Sequence, residues 1–455
     1  MVKDMTTGSP TRLILFFTLP LLVGNIFQQL YNMADTIIVG RTLGYKALAA
    51  VGGSSGSIMF LVFGFFFGLT CGFAVITAQR FGAHDEDGVR RSVAASLVMC
   101  AVITAAATLL CVFGARPVLE FMRTPEDIVD ETYNYLIVMF WGSWTIVFYG
   151  MLSSIIRALG DSRTPLYFLI ISSIVNVVLD FYFILSLKSG VAGAAWATVI
   201  AQGLSGVLCL IYMLRKFPIL RLRRRDWIFN ASFYWDHLRV ALPMAFQFSV
   251  TAIGVLVLQT ALNGFGSVAV AGYTAATRID QLAIQPLFSF SIAMATFAAQ
   301  NYGAGNIPRI RDGVFKCSAM ALGFSVFGGV PLILFASPIT AWFIGGYDEQ
   351  VIHCSQIYLN TNASCYVILA MLLIYRNVQQ GMGHSFIPFM AGVVELVLRV
   401  VGAFGFAVWF GYTGVCLSNP LAWIGATAIL AWDYCRTMKK LRREFADGVI
   451  RPVQR

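Results

Sequence analysis

Charge is scarce in this sequence. Only 12% of its 455 residues are Asp, Glu, Lys or Arg, about half the share usual in a soluble domain. The deficit runs through nearly the whole chain, which excludes a soluble globular protein and also a soluble domain on a single anchor. No CxxC pair occurs. That argues against a zinc site or a redox pair, and the nine cysteines, among them Cys71, Cys100, Cys111, Cys209, Cys317 and Cys365, read as small core residues. Histidine is limited to His84, His237, His353 and His384, none paired at ligand spacing and all expected in loops or at boundaries, so no metal is assigned. A GxxxxGK[ST] pattern is absent, so ATP drive within this polypeptide is not expected. The alternation of a membrane barrel is missing as well. So is a small-residue cleavage site after MVKDMTTGSPTRL, so the apolar run that follows is expected to be a first span and not a signal peptide.

What the chain has in abundance is apolar length: 58% of its residues are hydrophobic, enough for many spans. Apolar segments fall at roughly 13–39, 52–79, 93–115, 132–154, 166–187, 193–214, 240–263, 269–298, 314–336, 354–378, 389–410 and 414–435. Each is about the 20 residues a helix needs to cross the hydrocarbon core, and helices satisfy their own backbone in lipid. The expected fold is all-α and polytopic, with twelve transmembrane helices. Placing the N-terminus in the cytoplasm puts about 24 of the 32 Lys and Arg on the inner side. The outer loops keep Arg41, Lys46, Arg116, Arg123 and Lys188. A multi-pass protein of the cell membrane with both termini cytoplasmic follows. The net charge of +10 is then a topology signal and not a sign of nucleic acid. The inner cluster Arg221, Arg223, Arg224, Arg225 reads as a headgroup anchor of the lipid bilayer.

The chain also repeats itself. Ala78-Gln79-Arg80-Phe81-Gly82-Ala83 matches Ala299-Gln300-Asn301-Tyr302-Gly303-Ala304, Arg157–Pro165 matches Gln380–Pro388, and Leu19-Pro20 matches Leu242-Pro243, at offsets of 221 to 223 residues. An even number of spans per half makes these parallel repeats, two six-helix lobes related by a pseudo-twofold axis along the membrane normal. The expected division is an N-lobe at 1–214, a cytoplasmic joining loop at 215–239, a C-lobe at 240–436 and a basic tail at 437–455. Two such bundles leave a cleft that rocking would expose to either side, which points to a secondary transporter.

Ionisable residues inside spans need a partner or a function. The first half has two acids so placed, Asp35 and Asp180. Ser172, Asn176 and Asp180 share a helix face at i, i+4 spacing, Tyr31 lies one turn before Asp35, and Thr198 and Gln202 are four apart in the sixth span. Neither acid has Lys or Arg at helical spacing in its own span. Two unpaired carboxylates among hydroxyls and amides suggest a cation site, for H⁺ shared between buried acids or for Na⁺ on oxygen ligands. A hydrogen-bond network that only joins helices is the competing explanation. In the second half, Glu395 and Arg399 (i, i+4) and Arg278 and Asp280 read first as charge-compensating pairs. Asp280, Gln281, Glu395 and Arg399 are also candidates for a substrate cleft.

With these residues in place, the chain resembles a multidrug and toxic compound extrusion (MATE) transporter. The resemblance rests on LPLLVGNIFQQLYNMADTIIVG, the twin AQ-[RN]-[FY]-GA motifs, RALGDSRTP, Asn176 with Asp180, and GAAWATVIAQ around Thr198, and it covers both halves. It implies cation-coupled efflux by alternating access, with Asp35, Asn176, Asp180 and Thr198 as the cation site and Tyr31 and Tyr135 beside it. Pro20 would be where the first helix bends. The NorM-like acids of the seventh and tenth spans are missing, where Gln247, Gln259 and Leu369 stand, and the repeat mates of Asn176 and Asp180 are Arg399 and Ala403. The chain therefore resembles the DinF-like branch, with coupling in the first lobe and H⁺ favoured over Na⁺.

The expected activity is export of small amphipathic, cationic organic compounds. No cofactor beyond the coupling ion, no enzymatic chemistry and a monomeric state are expected. The alternative is a flippase for a lipid-linked oligosaccharide on the same architecture. A flippase should place several Arg or Lys in the first lobe's spans, and none is found mid-span there.

Overall fold

The apolar segments form helices that outrun them. In the computed structural model, which describes residues 4–122, 124–227 and 230–449 and every side chain among them but that of Tyr45, nine helices are long and apolar enough to cross a membrane. Three bent pairs, each counted as one span, bring the number to twelve. Arg123 and residues 450–455, assigned above to an outer loop and to the tail, lie outside the described residues.

In chain order the spans are Pro10–Leu43, Lys46–Gly82, Glu86–Phe121, Val129–Trp141 with Ser143–Ala158, Arg163–Ser186 and Gly190–Lys216. Then come Ala231–Asn263, Ser267–Ala283 with Gln285–Gly303, Ile307–Leu334, Glu349–Ala363 with Tyr366–Gly381, Phe386–Phe410 and Tyr412–Ala446. The helices extend into polar sequence where a cap can start them. Asp85 accepts from the Gly88 N–H at the head of the third span, and Asn306 accepts from the Arg309 N–H at the head of the ninth.

Each bend has a local setting. The fourth span turns by 46° at Gly142, where a Cβ would stand 2.0 Å from Val199 Cγ2 of the sixth span. There the Thr145 hydroxyl lies 2.8 Å from the Gly142 carbonyl and 3.0 Å from that of Val199. The eighth turns by 43° just before Pro286, which has no N–H to continue a ladder. The tenth turns by 51° around Ser364 and Cys365.

The internal repeat is visible in the backbone. Left-handed residues recur at matching places: Gly44 (φ 88°) and Gly266 (φ 87°), Gly160 and Gly383 (both φ 86°), His84 (φ 56°) and Gly305 (φ 69°), Lys188 (φ 51°) and Gly411 (φ 56°). A π-helical stretch follows in the fifth span at Tyr182–Ser186 and in the eleventh at Val401–Phe406. The mated fourth and tenth spans are both bent.

The chain divides into two compact units whose borders fall inside helices. Val23–Ser249 belongs to the first unit, while Met5–Leu22 joins the residues from Val250 onward in the second. The start of the first span is thus part of the second unit. The joining segment at 215–239 and the start of the seventh span are part of the first. The expected division cut between helices. The 34-residue first span and the 33-residue seventh are long enough to give each of their two ends to a different unit.

Within the first unit, Gly68 and Gly72 of the second span, four apart, meet the start of the seventh. A Cβ on Gly68 would lie 2.5 Å from the Met244 carbonyl, and one on Gly72 would lie 2.4 Å from Ala241 Cα. This is a small-xxx-small contact between backbones. Beside it sits a core of Phe66, Leu69, Phe73, Val89, Ile155 and Ala245. His237, expected in a solvated loop, lies in this helical start and is fully buried. Its Nε2 is 2.8 Å from Ser92 Oγ, and Ser92 is 3.0 Å from Thr77 Oγ1. The second unit's core takes in Ile14, Phe17 and Leu21 with Leu287, Phe290 and Met294. Met5 is buried there too. Its N–H donates to Gln300 Oε1 (2.8 Å), and its carbonyl accepts from Asn301 Nδ2, Arg309 Nε and Arg309 Nη2, each at 3.2 Å.

Candidate functional site

The first unit holds the polar stripe. Its fifth span is started by Asp161, whose carboxylate accepts from the Arg163 and Thr164 N–H groups (3.0 and 3.1 Å), the Thr164 hydroxyl (2.7 Å) and the Tyr212 hydroxyl (2.9 Å). Along this helix Ser172 is buried but spends its hydroxyl on the Leu169 carbonyl. Asn176 and Asp180 follow, both 0% exposed. Asp180 sits two residues before the π-helical stretch. Opposite, Gly193 lets the sixth span close in, since a Cβ there would be 3.0 Å from Phe183 Cβ. That approach brings Thr198 to Asn176: the Asn176 Nδ2 donates to Thr198 Oγ1 at 3.3 Å, and Thr198 donates to the Ala194 carbonyl at 3.2 Å.

Asp35 reaches the same place from the first span. Asp35 and Asp180 lie within each other's electrostatic reach, and Tyr31 and Tyr135 lie within reach of both. With both acids ionised, four oxygens at this spot are buried without a hydrogen-bond donor, Asp35 Oδ1, Asn176 Oδ1 and both Asp180 oxygens, and the two carboxyl groups lie within hydrogen-bond reach of each other should one carry a proton. Among the described residues, no Lys, Arg or His pairs with either acid. An ionised carboxylate can only accept, and burying one without a donor or cation is costly. The arrangement can therefore take a proton, held by either acid, or a hard cation on several oxygens.

The other candidate residues are placed differently. Pro20 lies fifteen residues before Asp35 on the first span, about four turns, and belongs to the second unit. It is not a neighbour of the acids, and the helix runs unbroken through it. Asp280 and Arg278 do not pair. Two residues apart, they point to different sides of their helix, Arg278 exposed and Asp280 buried. Asp280 instead accepts hydrogen bonds from the hydroxyls of Tyr366 and, at 3.4 Å, Tyr358. Gln281 is exposed on the next turn of the surface. Glu395 and Arg399 do pair, at 3.5 Å, but Glu395 also binds Arg376 of the tenth span.

Arg376, Tyr358 and Tyr366 were not picked out from the sequence. Arg376 carried a usable signal, an ionisable residue in the middle of a span. The tyrosines carried none, among 17 Tyr and 37 Phe.

Comparison with known proteins agrees with this architecture. The profile of the MatE family matches residues 20–182 and 243–404. A protein of Bacillus subtilis named as a probable multidrug resistance protein, YpnP, is 27% identical over 95% of this chain and 97% of its own. One from Shewanella oneidensis named as an FAD transporter is 23% identical over 90% of this chain and 91% of its own. Among solved structures, the outward-facing conformation of a multidrug resistance MATE family transporter superposes with a TM-score of 0.89 at 24% identity. It covers 96% of this chain and 98% of that one.

Proposed function

The chain belongs to the MatE family, and on that premise we propose that this multi-pass membrane protein is an antiporter exporting amphipathic, cationic organic compounds in exchange for a cation. The ion binds at Asp35, Asn176, Asp180 and Thr198, with Tyr31 and Tyr135 beside them. The observation that carries this reading is the group of four buried oxygens that lack donors while both acids are ionised, with the two carboxyl groups close enough to share a proton. A network that only held helices together would satisfy its members, because an unpaired buried acceptor is costly. H⁺ is favoured over Na⁺, because two carboxylates close together in a buried place share a proton readily.

Alternating access follows a simple order. The organic compound binds while its site faces inward and leaves outward. The external ion then binds at the two acids and favours the return. The protein works in the cell membrane as a monomer with both termini in the cytoplasm, an orientation supported by the inner bias of Lys and Arg. Names of relatives support the substrate class at the level of drug export.

The test uses purified protein in liposomes, with rhodamine 6G as the dye and an imposed pH or Na⁺ gradient. Uptake should follow the pH gradient. Asp35→Asn and Asp180→Asn should each lower it at least tenfold while the protein still inserts. Uptake driven by neither gradient counts against antiport, and wild-type uptake in both variants removes the cation site.

A further inference from the structure

The second unit carries three charged side chains where the first has Ser153, Ser172 and Asn176. Arg376, Glu395 and Arg399 stand 223 residues further on. Arg376 and Arg399 are each 7% exposed and Glu395 is 3% exposed. Glu395 Oε1 accepts from Arg376 Nη2, and Oε2 accepts from Arg399 Nη2 at 3.5 Å. One carboxylate neutralises one guanidinium, so the cluster keeps a positive charge in excess.

Asp280 does not cancel that charge by contact, because its oxygens take the Tyr366 and Tyr358 hydroxyls. Tyr273 lies within electrostatic reach of both Asp280 and Arg399.

Donors are in excess too. The Nε of both arginines is buried without an acceptor, and all the ion pairing of the cluster runs through Nη2. A structural ion pair accounts for only one of the two arginines. Glu395 and Arg376 of the tenth span already make the close pair, and Arg399, one turn on from Glu395 and 3.5 Å from its other oxygen, is a second cation. On the other side of Arg399 stands Gly254 of the seventh span, where a Cβ would be 2.8 Å from Nη1. The backbone of the seventh span therefore packs closely on that edge of the guanidinium.

We propose that Arg376 and Arg399, oriented by Glu395, bind an oxyanion, the carboxylate or phosphate of zwitterionic or anionic amphipathic compounds that the protein transports beside the cationic ones. The proposal rests on the transport reading above but not on the acids of the first unit. Guanidinium forks match carboxylate and phosphate oxygens two at a time, and the attraction is strong where water is excluded. Glu395 fixes both forks and limits the excess to one charge, so a bound anion can still leave.

The experiment measures binding to full-length protein in a neutral detergent by fluorescence anisotropy. Carboxyfluorescein is the anionic probe and rhodamine 6G the cationic one. Arg376→Gln and Arg399→Gln should each lower the ratio of carboxyfluorescein to rhodamine 6G affinity at least tenfold. Glu395→Gln should raise it, and Arg399→Lys, which keeps the charge without the fork, should fall between. An unchanged ratio in both glutamine variants overturns the proposal, and so does an equal loss of carboxyfluorescein binding in all four variants. Displacement of carboxyfluorescein by inorganic phosphate supports it. If short-chain phosphatidylglycerol binds through these arginines while carboxyfluorescein and phosphate do not, the site belongs to a lipid headgroup and its assignment to a transported compound is overturned. Failure of gradient-driven rhodamine 6G uptake would remove the antiport reading and leave these binding results standing.

Discussion

Asn176 and Thr198 illustrate how a single hydrogen bond can set the shape of an ion site. The Asn176 amide spends a donor on Thr198 Oγ1, which fixes the plane of the amide, and its own Oδ1 is left buried and unpartnered. Thr198→Val removes that acceptor, frees the amide to rotate and should weaken ion coupling. The expected outcome is a three- to tenfold loss of pH-driven rhodamine 6G uptake, with protein level and melting temperature near wild type. An unaltered rate would mean that the amide's orientation is set elsewhere. Tyr366→Phe is the matching change in the second unit. It leaves the buried Asp280 with the Tyr358 hydroxyl alone, a loss of about 1–3 kcal/mol that thermal unfolding in detergent should register.

The acids and their helix-face companions were legible in the sequence at this scale, because i, i+4 spacing is a local property. The partners of Asp280 were not, because they come from 78 and 86 residues away and tyrosines are common in this chain. The pairing of Arg278 with Asp280 was misread by taking nearness in sequence for nearness in space.

At the scale of elements, helix contacts here depend on missing side chains. Gly72 meets the Ala241 backbone so closely that Gly72→Val would push its Cβ into the 2.4 Å gap to Ala241 Cα. Backbone cannot yield as a flexible side chain does, so a destabilisation of about 1–3 kcal/mol or more is expected, read as a lower melting temperature. Gly142→Ala tests the bend of the fourth span, because its Cβ would meet Val199 Cγ2 next door to Thr198. It should reduce uptake without reducing insertion, as the sixth span shifts away from Asn176.

The number of spans and the repeat were legible, because apolar length and motif offsets are both written in the sequence. The bends were partly so: Pro286 announces the eighth, while the tenth breaks at Ser364 and Cys365 without proline or glycine.

At the scale of the whole molecule, the two units are not consecutive pieces of chain. Met5–Leu22 contributes Met5, Ile14, Phe17 and Leu21 to the core of the second unit. A fragment beginning at Val250 therefore lacks part of its own interior. Expressed alone it should be degraded or aggregate, and co-expression with the complementary fragment should recover folded material, measured by size-exclusion chromatography in detergent. A monodisperse, stable lone fragment would contradict that expectation. Composition and motif offsets could not reveal this exchange. They register where helices and repeats begin, and the borders between the units fall inside the first and seventh helices.

The exchange also sets an order of events during synthesis. The segment ending at Leu22 leaves the ribosome well before its partners, since Gln300, Asn301 and Arg309, which hold Met5, follow nearly three hundred residues later. At the usual pace of translation the wait is roughly 15–60 s. For that time the head of the first helix is in the cell without its final neighbours, while the first unit, whose residues from Val23 to Ser249 are all made before Val250, can already assemble.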